Sequence, residues 1–295
     1  MVILRLGPKM RPMSQTDSRQ AIQGLYIVAT PMGNLGDITL RALEVLRTAD
    51  VIACEDTRHA RHLLDHYAIK APTFALHEHN ENEAGAKLVD MLRAGKSVAL
   101  ITDAGTPGIS DPGARAVAAA QAAGFHAVPL PGPSAAITAL SASGLNDANF
   151  LFAGFLPAKP GARKAEIARL RPVAAALVFY EAPHRVEETI ADLAALLEPE
   201  RQIVIARELT KLFEQIARMP IADAPAWLAA DDNHRRGEFV LIVSSPPPRI
   251  GLDAEAERVL QLLAAELPTK QAAKLAAEIT GIAKNLLYER ALQLK

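Results

Sequence analysis

From Leu25 onward, short apolar runs alternate with longer stretches in which apolar residues recur every three or four positions. Leu25–Ala29, Val51–Cys54, Thr73–Leu76, Val98–Ile101 and Ala127–Leu130 are brief and rich in Val, Ile, Leu and Ala, the texture of strands covered on both faces. Between them Thr39–Thr48, Thr57–Tyr67, Glu83–Arg93 and Asp111–Ala123 have helical spacing, as in Leu40, Leu43 and Leu46. Asp111-Pro112 reads as an N-cap followed by proline at the first helical position, and Ser134 reads as the cap of Ala135–Ser143. This βαβα rhythm predicts a largely parallel sheet packed between helices.

Past Asn146 the pattern changes. Phe150–Phe155, Ala176–Tyr180, Gln202–Ala206, Leu212–Met219 and Glu238–Val243 are strand candidates, with helices expected at Arg163–Leu170, Pro183–Leu197 and Ala222–Ala230. No helical segment separates Gln202–Ala206 from Leu212–Met219, so those two strands are expected to pair antiparallel. The prolines of Ser244–Gly251 form an extended spacer. Three short helices, Asp253–Glu266, Thr269–Thr280 and Ala283–Leu294, are expected beyond it, with Gly281 as a C-terminal cap. The fold class is therefore α/β: a mostly parallel domain over residues 24–146, a mixed-sheet domain over 147–246 and a helical, helix-turn-helix-like module over 251–295. Residues 1–23, with Arg5, Lys9, Arg11 and Arg19 against Asp17, read as a disordered basic tail without the apolar run of a secretory signal.

Composition narrows the function classes. Half of the 295 residues are hydrophobic and 22% are charged, which excludes global disorder. A net charge of −1 excludes a uniformly basic nucleic-acid coat but not a local patch. The single cysteine, Cys54, supports neither an internal disulfide nor a cysteine-rich zinc site. The uncharged stretch from Ala116 to Asn146 is broken by Gly124 and by Pro129, Pro131 and Pro133, so it is no membrane helix. A soluble, cytoplasmic protein is expected.

Some motif fragments fail on inspection. Gly95-Lys96-Ser97 lacks the glycine a phosphate-binding loop requires at position 90 and stands before a strand rather than after one. Gly33-Asn34-Leu35-Gly36 has the wrong spacing for a dinucleotide fingerprint. His59-x-x-His62 and His77-Glu78-His79 offer imidazoles, but spacing of three on a helix arises by chance and no cysteine assists, so no metal is expected. Three glycine- and proline-rich turns carry more: Thr30–Asp37, Asp103–Gly113 and Pro129–Ala135. All follow strands of the first domain, at the sheet edge where open α/β folds bind ligands. Glycine admits close backbone approach and proline fixes the loop beforehand.

These turns, with PGPSA at 131–135, resemble the tetrapyrrole-methylase superfamily, the class III S-adenosylmethionine-dependent methyltransferases. Further strings narrow the likeness: EDTR at 55–58, HEHNE at 77–81, EAPHR at 181–185 and ARELTK at 206–211. They resemble the branch that methylates the ribose 2′-oxygen of a cytidine in the decoding region of 16S ribosomal RNA. The superfamily's usual Gly-Asp-Pro is Gly105-Thr106-Pro107 here, so that acidic side chain is missing. The resemblance implies S-adenosylmethionine in a crevice between the domains, held by Pro31, Asp103, Ala104, Gly105, Thr106, Ile109, Ser134 and Ala135. Phe179, Tyr180, Glu238 and Phe239 would close it from the second domain. It also implies a homodimer acting on 16S RNA or the small ribosomal subunit.

Methyl transfer from a sulfonium requires in-line approach of the oxygen and neither a metal nor a covalent intermediate. A ribose hydroxyl gains from a general base or from a charge that steadies its alkoxide. Glu55, Asp56, His77, His79, Glu181, His184 and Lys211 are the candidates, although Glu55-Asp56 also suits a helix cap. The resemblance favours Glu55, Asp56 and His79 for the hydroxyl, with Arg58 on a neighbouring phosphate. Lys159, Arg163, Lys164, Arg169 and Arg171 face only Glu166 within 157–171, and Lys159, Arg163 and Lys164 are the expected phosphate clamp. Two rival readings remain: a porphyrin- or corrin-pathway C-methyltransferase with an open apolar trough, and a catalytically inactive RNA-binding protein.

Overall fold

The computed structural model describes residues 23–247 and 254–294. The basic tail, but for its last residue, and the end of the proline spacer lie outside the described residues.

The first domain is a five-stranded sheet in the order β3-β2-β4-β1-β5, all parallel. Its strands are β1 (Leu25–Val28), β2 (Val51–Cys54), β3 (Thr73–Ala75), β4 (Val98–Leu100) and β5 (Ala127–Leu130). Helices α1 (Leu40–Thr48) and α2 (Thr57–His66) cover one face. Leu43, Leu46, Leu63 and Leu64 pack there on Val28, Ile52 and Ile101. Helices α3 (Glu81–Arg93) and α4 (Ala114–Ala122) cover the other, with Leu88, Leu92 and Ala116 against Leu25, Ala53 and Leu100.

Helix α4 starts later than Asp111-Pro112 predicts. Its N-cap is Gly113, at φ 132°, and the free N–H groups of Gly113 and Arg115 both donate to Glu81 Oε1 at 2.9 Å. A carboxylate from α3 therefore does the capping that Asp111 was expected to do, a long-range partner that local spacing does not reveal.

The second domain orders its strands β6-β7-β10-β8-β9. They are β6 (Phe150–Phe155), β7 (Ala176–Glu181), β8 (Gln202–Arg207), β9 (Gln215–Pro220) and β10 (Phe239–Val243). Only β6 and β7 run parallel, and β8 and β9 pair antiparallel as expected. Strand β9 begins at Gln215 because Leu212 and Phe213 sit in the exposed turn before it. Helices α6 (Pro160–Leu170), α7 (Val186–Leu196) and α8 (Ala224–Ala230) cover one face. The other face receives α5 (Ala135–Ala142), whose Ala136 and Ala139 pack on Val178, Ala206, Val240 and Ile242. Small side chains let α5 lie close on the second sheet, although the chain enters it from β5 of the first. That helix seats the two sheets beside a common crevice.

Helices α9 (Ala254–Glu266), α10 (Thr269–Thr280) and α11 (Lys284–Gln293) enclose their own core of Leu260, Ala273, Ala276, Leu287 and Ala291. Gly281 ends α10 in the left-handed conformation, at φ 71°.

Candidate active site

The three turns at the edge of the first sheet are joined by hydrogen bonds. Thr30 and Gly105 exchange backbone bonds of 2.8 and 2.9 Å, which couples the first turn to the second. Gly105 does so at φ 79°, a conformation that favours glycine. The Thr106 hydroxyl donates to the Pro133 carbonyl at 2.9 Å and couples the second turn to the third. Threonine at the position where the superfamily carries aspartate thus acts as a tie between loops. At Gly132 an added Cβ would lie 2.8 Å from the Ala29 side chain, so that turn lies directly on β1's end.

Between this edge and the second sheet lies a cavity of about 310 Å³, within the range of small-molecule sites. Of the residues expected to hold a cofactor, Ala104, Gly105, Thr106, Ile109, Ser134, Ala135, Tyr180, Glu238 and Phe239 line it. Pro31 does not, but its neighbour Met32 does. Asp103 points elsewhere and accepts from the Asp56 backbone N–H at 3.3 Å. Phe179 belongs to the opposite face of β7, buried against Ile167, Ile190 and Leu241. Successive strand residues face opposite ways, so Tyr180 can line the cavity only if Phe179 does not.

Tyr180 anchors the second-domain wall. Its hydroxyl accepts from Ala136 N–H at 3.3 Å at the start of α5, while the Ser134 side chain makes no cap bond there. Burial raises the pKa of the Tyr180 phenol. Phe152 and Phe155 meet its ring edge-on at 4.8 and 5.8 Å. Phe155 lines the cavity through a bulge: the β6–β7 register shifts between Phe152 and Gly154, and Gly154 stands at φ 66°. The glycine inside a predicted strand was the available sign of this.

The ARELTK string forms a strained turn. Glu208 and Thr210 have φ 50° and 66°, and for a β-branched residue this is an outlier of the kind found at ligand clamps. The turn brings Leu209 and Lys211 to the cavity. Lys211 Nζ lies 2.9 Å from both Glu208 and Glu238. Burial works to lower its pKa, but the two carboxylates outweigh that and hold it raised.

The expected catalytic residues are more scattered. Asp56 is the N-cap of α2; it accepts from Arg58 N–H at 2.7 Å and pairs with the Arg58 guanidinium at 3.0 Å. Those bonds lower its pKa to about 2. His79 is exposed, and neither it nor Asp56 lines the cavity. Glu55 is half-buried behind the wall and accepts from Thr102 Oγ1 at 3.0 Å. Burial raises its pKa, and the charges of Asp111 and Asp103 add to that. Asp111, which the sequence reading made a helix cap, lines the cavity instead. Glu181 also lines the cavity, but its side chain is fully buried and holds Arg185 and Thr189, so EAPHR braces the turn after β7.

The expected phosphate clamp divides. The Arg163 side chain is only 3% exposed and pairs with Asp192 at 2.7 Å and Glu188 at 3.0 Å. It locks α6 to α7 and is not presented to an external phosphate, because its partners arrive from a helix later in the chain. Lys159 and Lys164 are exposed, with Lys164 at 3.5 Å from Asp192.

A parallel domain and a mixed domain thus enclose a cavity at the first sheet's edge, the architecture of a two-domain α/β protein with a ligand crevice. Residues 24–225 match the family model for tetrapyrrole (corrin/porphyrin) methylases, and the chain belongs to that family. Residues 251–295 match the RsmI C-terminal HTH domain. The chain is 52% identical over 272 residues to the ribosomal RNA small subunit methyltransferase I of Pseudomonas aeruginosa, covering 91% of this chain and 96% of that protein. Among solved structures, the methyltransferase CobJ superposes with a TM-score of 0.57 at 18% identity, over 77% of this chain and 97% of that one. Uroporphyrin-III C-methyltransferase from Thermus thermophilus, complexed with S-adenyl homocysteine, gives 0.53 at 17% identity, over 75% and 97%. At such identities the structural likeness carries the fold alone.

Proposed function

We propose that the protein is an S-adenosylmethionine-dependent methyltransferase that methylates the ribose 2′-oxygen of a cytidine in the decoding region of 16S ribosomal RNA. The observation that carries this reading is the 52% identity, extending over 91% of the chain, to a protein named for small-subunit ribosomal RNA methylation. The uroporphyrin-III C-methyltransferase of Thermus thermophilus shares only the fold, at 17% identity.

The cofactor occupies the interdomain cavity. Backbone of Ala104–Thr106 and Ser134–Ala135 holds its polar groups, and Ile109, Tyr180 and Val240 cover its apolar ones. The acidic side chain of Asp111 on the wall suits a cationic sulfonium, whereas the Glu238 charge is met by Lys211. In-line transfer then needs the RNA oxygen at the open side of the cavity. Glu55 supports the wall there, and Asp56 and Arg58 at the start of α2, with His79 in the turn before α3, lie where a nucleotide flanking the target passes. Lys159 and Lys164 bind backbone phosphates, and exposed Lys270, Lys274 and Lys284 on the C-terminal module extend the contact.

A homodimer working in the cytoplasm completes the reading. The outer strand β6 leaves Phe150 and Leu151 exposed beside an unpaired edge, which favours a covering partner. Sedimentation checks that point. Among the described residues no helix is long and apolar enough to cross a membrane.

The reading is tested by incubating the protein with methyl-labelled S-adenosylmethionine and 30S subunits lacking the modification, then mapping the product by mass. One 2′-O-methylcytidine in the decoding region is expected. Label on a base, or label accepted only by a porphyrin, would replace the reading. Tight RNA binding without cofactor binding would mark an inactive RNA-binding protein.

A further inference from the structure

The turn that follows Ile109 holds a carboxylate relieved of its expected structural duty. Glu81 caps α4 in place of Asp111, and Asp111 lines the cavity beside Ser110 and Tyr180. Among the described residues Asp111 takes part in no ion pair. Its side-chain partner is the Thr102 hydroxyl, on a residue only 3% exposed. That hydroxyl also donates to Glu55 Oε2 at 3.0 Å. The Thr102 backbone is held in turn, its carbonyl accepting from Thr30 Oγ1 at 2.9 Å.

A hydroxyl has one hydrogen to donate, and an ionised carboxylate has none. Thr102 cannot donate to Glu55 and Asp111 together, so the pair is one donor short when both are charged. The single hydrogen is therefore shared, which leaves Asp111, the member at the cavity wall, with acceptor capacity to spare. A carboxylate in that position is suited to accept a hydrogen bond from a ligand hydroxyl.

Resting on the ribose-methylation reading above, we propose that Asp111 is the catalytic base that takes the proton of the ribose 2′-hydroxyl, with Thr102 and Glu55 as positioning residues behind it. The hydroxyl oxygen forms a bond to the methyl carbon as the carbon–sulfur bond breaks. The electron pair of that bond stays on sulfur, leaving neutral S-adenosylhomocysteine. The hydroxyl proton passes to the Asp111 carboxylate, which releases it to water when the products leave. Burial, with the nearby Asp103 charge, raises the Asp111 pKa, which brings it closer to the working range of a general base.

The test is single-turnover methylation of 30S subunits by Asp111→Asn, with S-adenosylmethionine affinity measured by calorimetry on the same preparations. The expected result is a rate loss of about 10²–10⁴-fold with cofactor affinity within about threefold. The acid limb of the wild-type pH–rate profile should disappear. Thr102→Val should move the midpoint of that limb upward, because the hydrogen bond favouring the charged carboxylate is gone. Glu55→Gln should move it downward, because a neutral amide competes less well for the single Thr102 hydrogen, which then turns to Asp111. Those opposite displacements would not accompany a role in folding alone. A wild-type rate in Asp111→Asn overturns the assignment while ribose methylation stands. Loss of rate and cofactor affinity in the same proportion overturns it too, and makes Asp111 a cofactor ligand. If the wild-type protein transfers no methyl to ribose, the functional reading fails and this assignment fails with it.

Discussion

On the first-domain side the cavity is bounded by turns whose backbone is fixed by hydrogen bonds, with Met32, Ile109 and Asp111 adding side chains. Ala104, Gly105, Thr106, Ser134 and Ala135 line it from turns that are stitched together by Thr30–Gly105 and Thr106–Pro133 hydrogen bonds. On the second-domain side it is bounded by side chains: Phe155 re-aimed by a bulge, Tyr180 and its cross-strand partner Val240, and Lys211 held between two glutamates, while the Phe239 side chain lies with Phe179 in the core on the opposite face. The first wall offers fixed N–H and C=O groups, which suit the invariant polar parts of one cofactor. The second offers shape, which substitution can alter without disturbing the sheet. On the function proposed above, the first wall holds the cofactor and the second sets the substrate, so that one fold can serve different chemistry by changing one side of its cavity.

If side-chain pairs hold the second domain in place, the largest loss should come from Arg163→Ala. It leaves Asp192 without its 2.7 Å partner in a site that is 13% exposed, and breaking a buried pair costs about 3–5 kcal/mol. Urea denaturation measures this, and RNA affinity of the folded fraction should hold. A stable variant with weakened RNA binding would return Arg163 to the phosphate clamp. If backbone packing holds the first wall, Gly132→Ala comes next. Its new Cβ meets Ala29 at 2.8 Å, and overpacking costs about 1–3 kcal/mol. Cofactor affinity should fall with it, because PGPSA must shift; unchanged affinity would detach that turn from the site.

Asp56 gives a smaller, pH-dependent effect. Its folded pKa is lowered to about 2 by the Arg58 hydrogen bond. The stability it contributes is therefore present above the ordinary value near 4 and lost as pH falls through about 2. Asp56→Asn should flatten that part of the acid-unfolding curve. Glu55 and Asp111 are shifted the other way by burial: their share of stability is full at low pH and declines as pH rises through their raised values. Lys159→Ala with Lys164→Ala should leave the melting temperature unchanged. It should lower the slope of log affinity for RNA against log salt by about 0.7–0.9 for each phosphate that is no longer neutralised. An unaltered slope would assign both lysines to plain solvated surface.

The elements were legible in the chain because buried parallel strands are short apolar runs and their helices keep a three-to-four spacing. Strand β2 (Val51–Cys54) and helix α10 (Thr269–Thr280) fall at the residues the spacing predicts. The first wall was legible too, since glycine and proline mark turns at a sheet edge. Less was legible where a residue's role is set by a distant partner. Choosing Tyr180 over Phe179 requires knowing which face of β7 meets the crevice. Asp111 looked like a cap until Glu81 supplied one from another helix. Arg163 looked like a free cation because Asp192 and Glu188 reach it from α7.

The central claim is that the interdomain cavity holds S-adenosylmethionine. Ser134→Trp tests it most directly, since an indole at that wall would fill a cavity of about 310 Å³ from the half-buried start of α5. Calorimetry of S-adenosylmethionine on this variant, beside its melting curve, should show an affinity loss of at least about 100-fold, or ~2.7 kcal/mol, with the cooperative transition retained. Wild-type affinity in a folded Ser134→Trp protein would contradict the account and place the cofactor elsewhere.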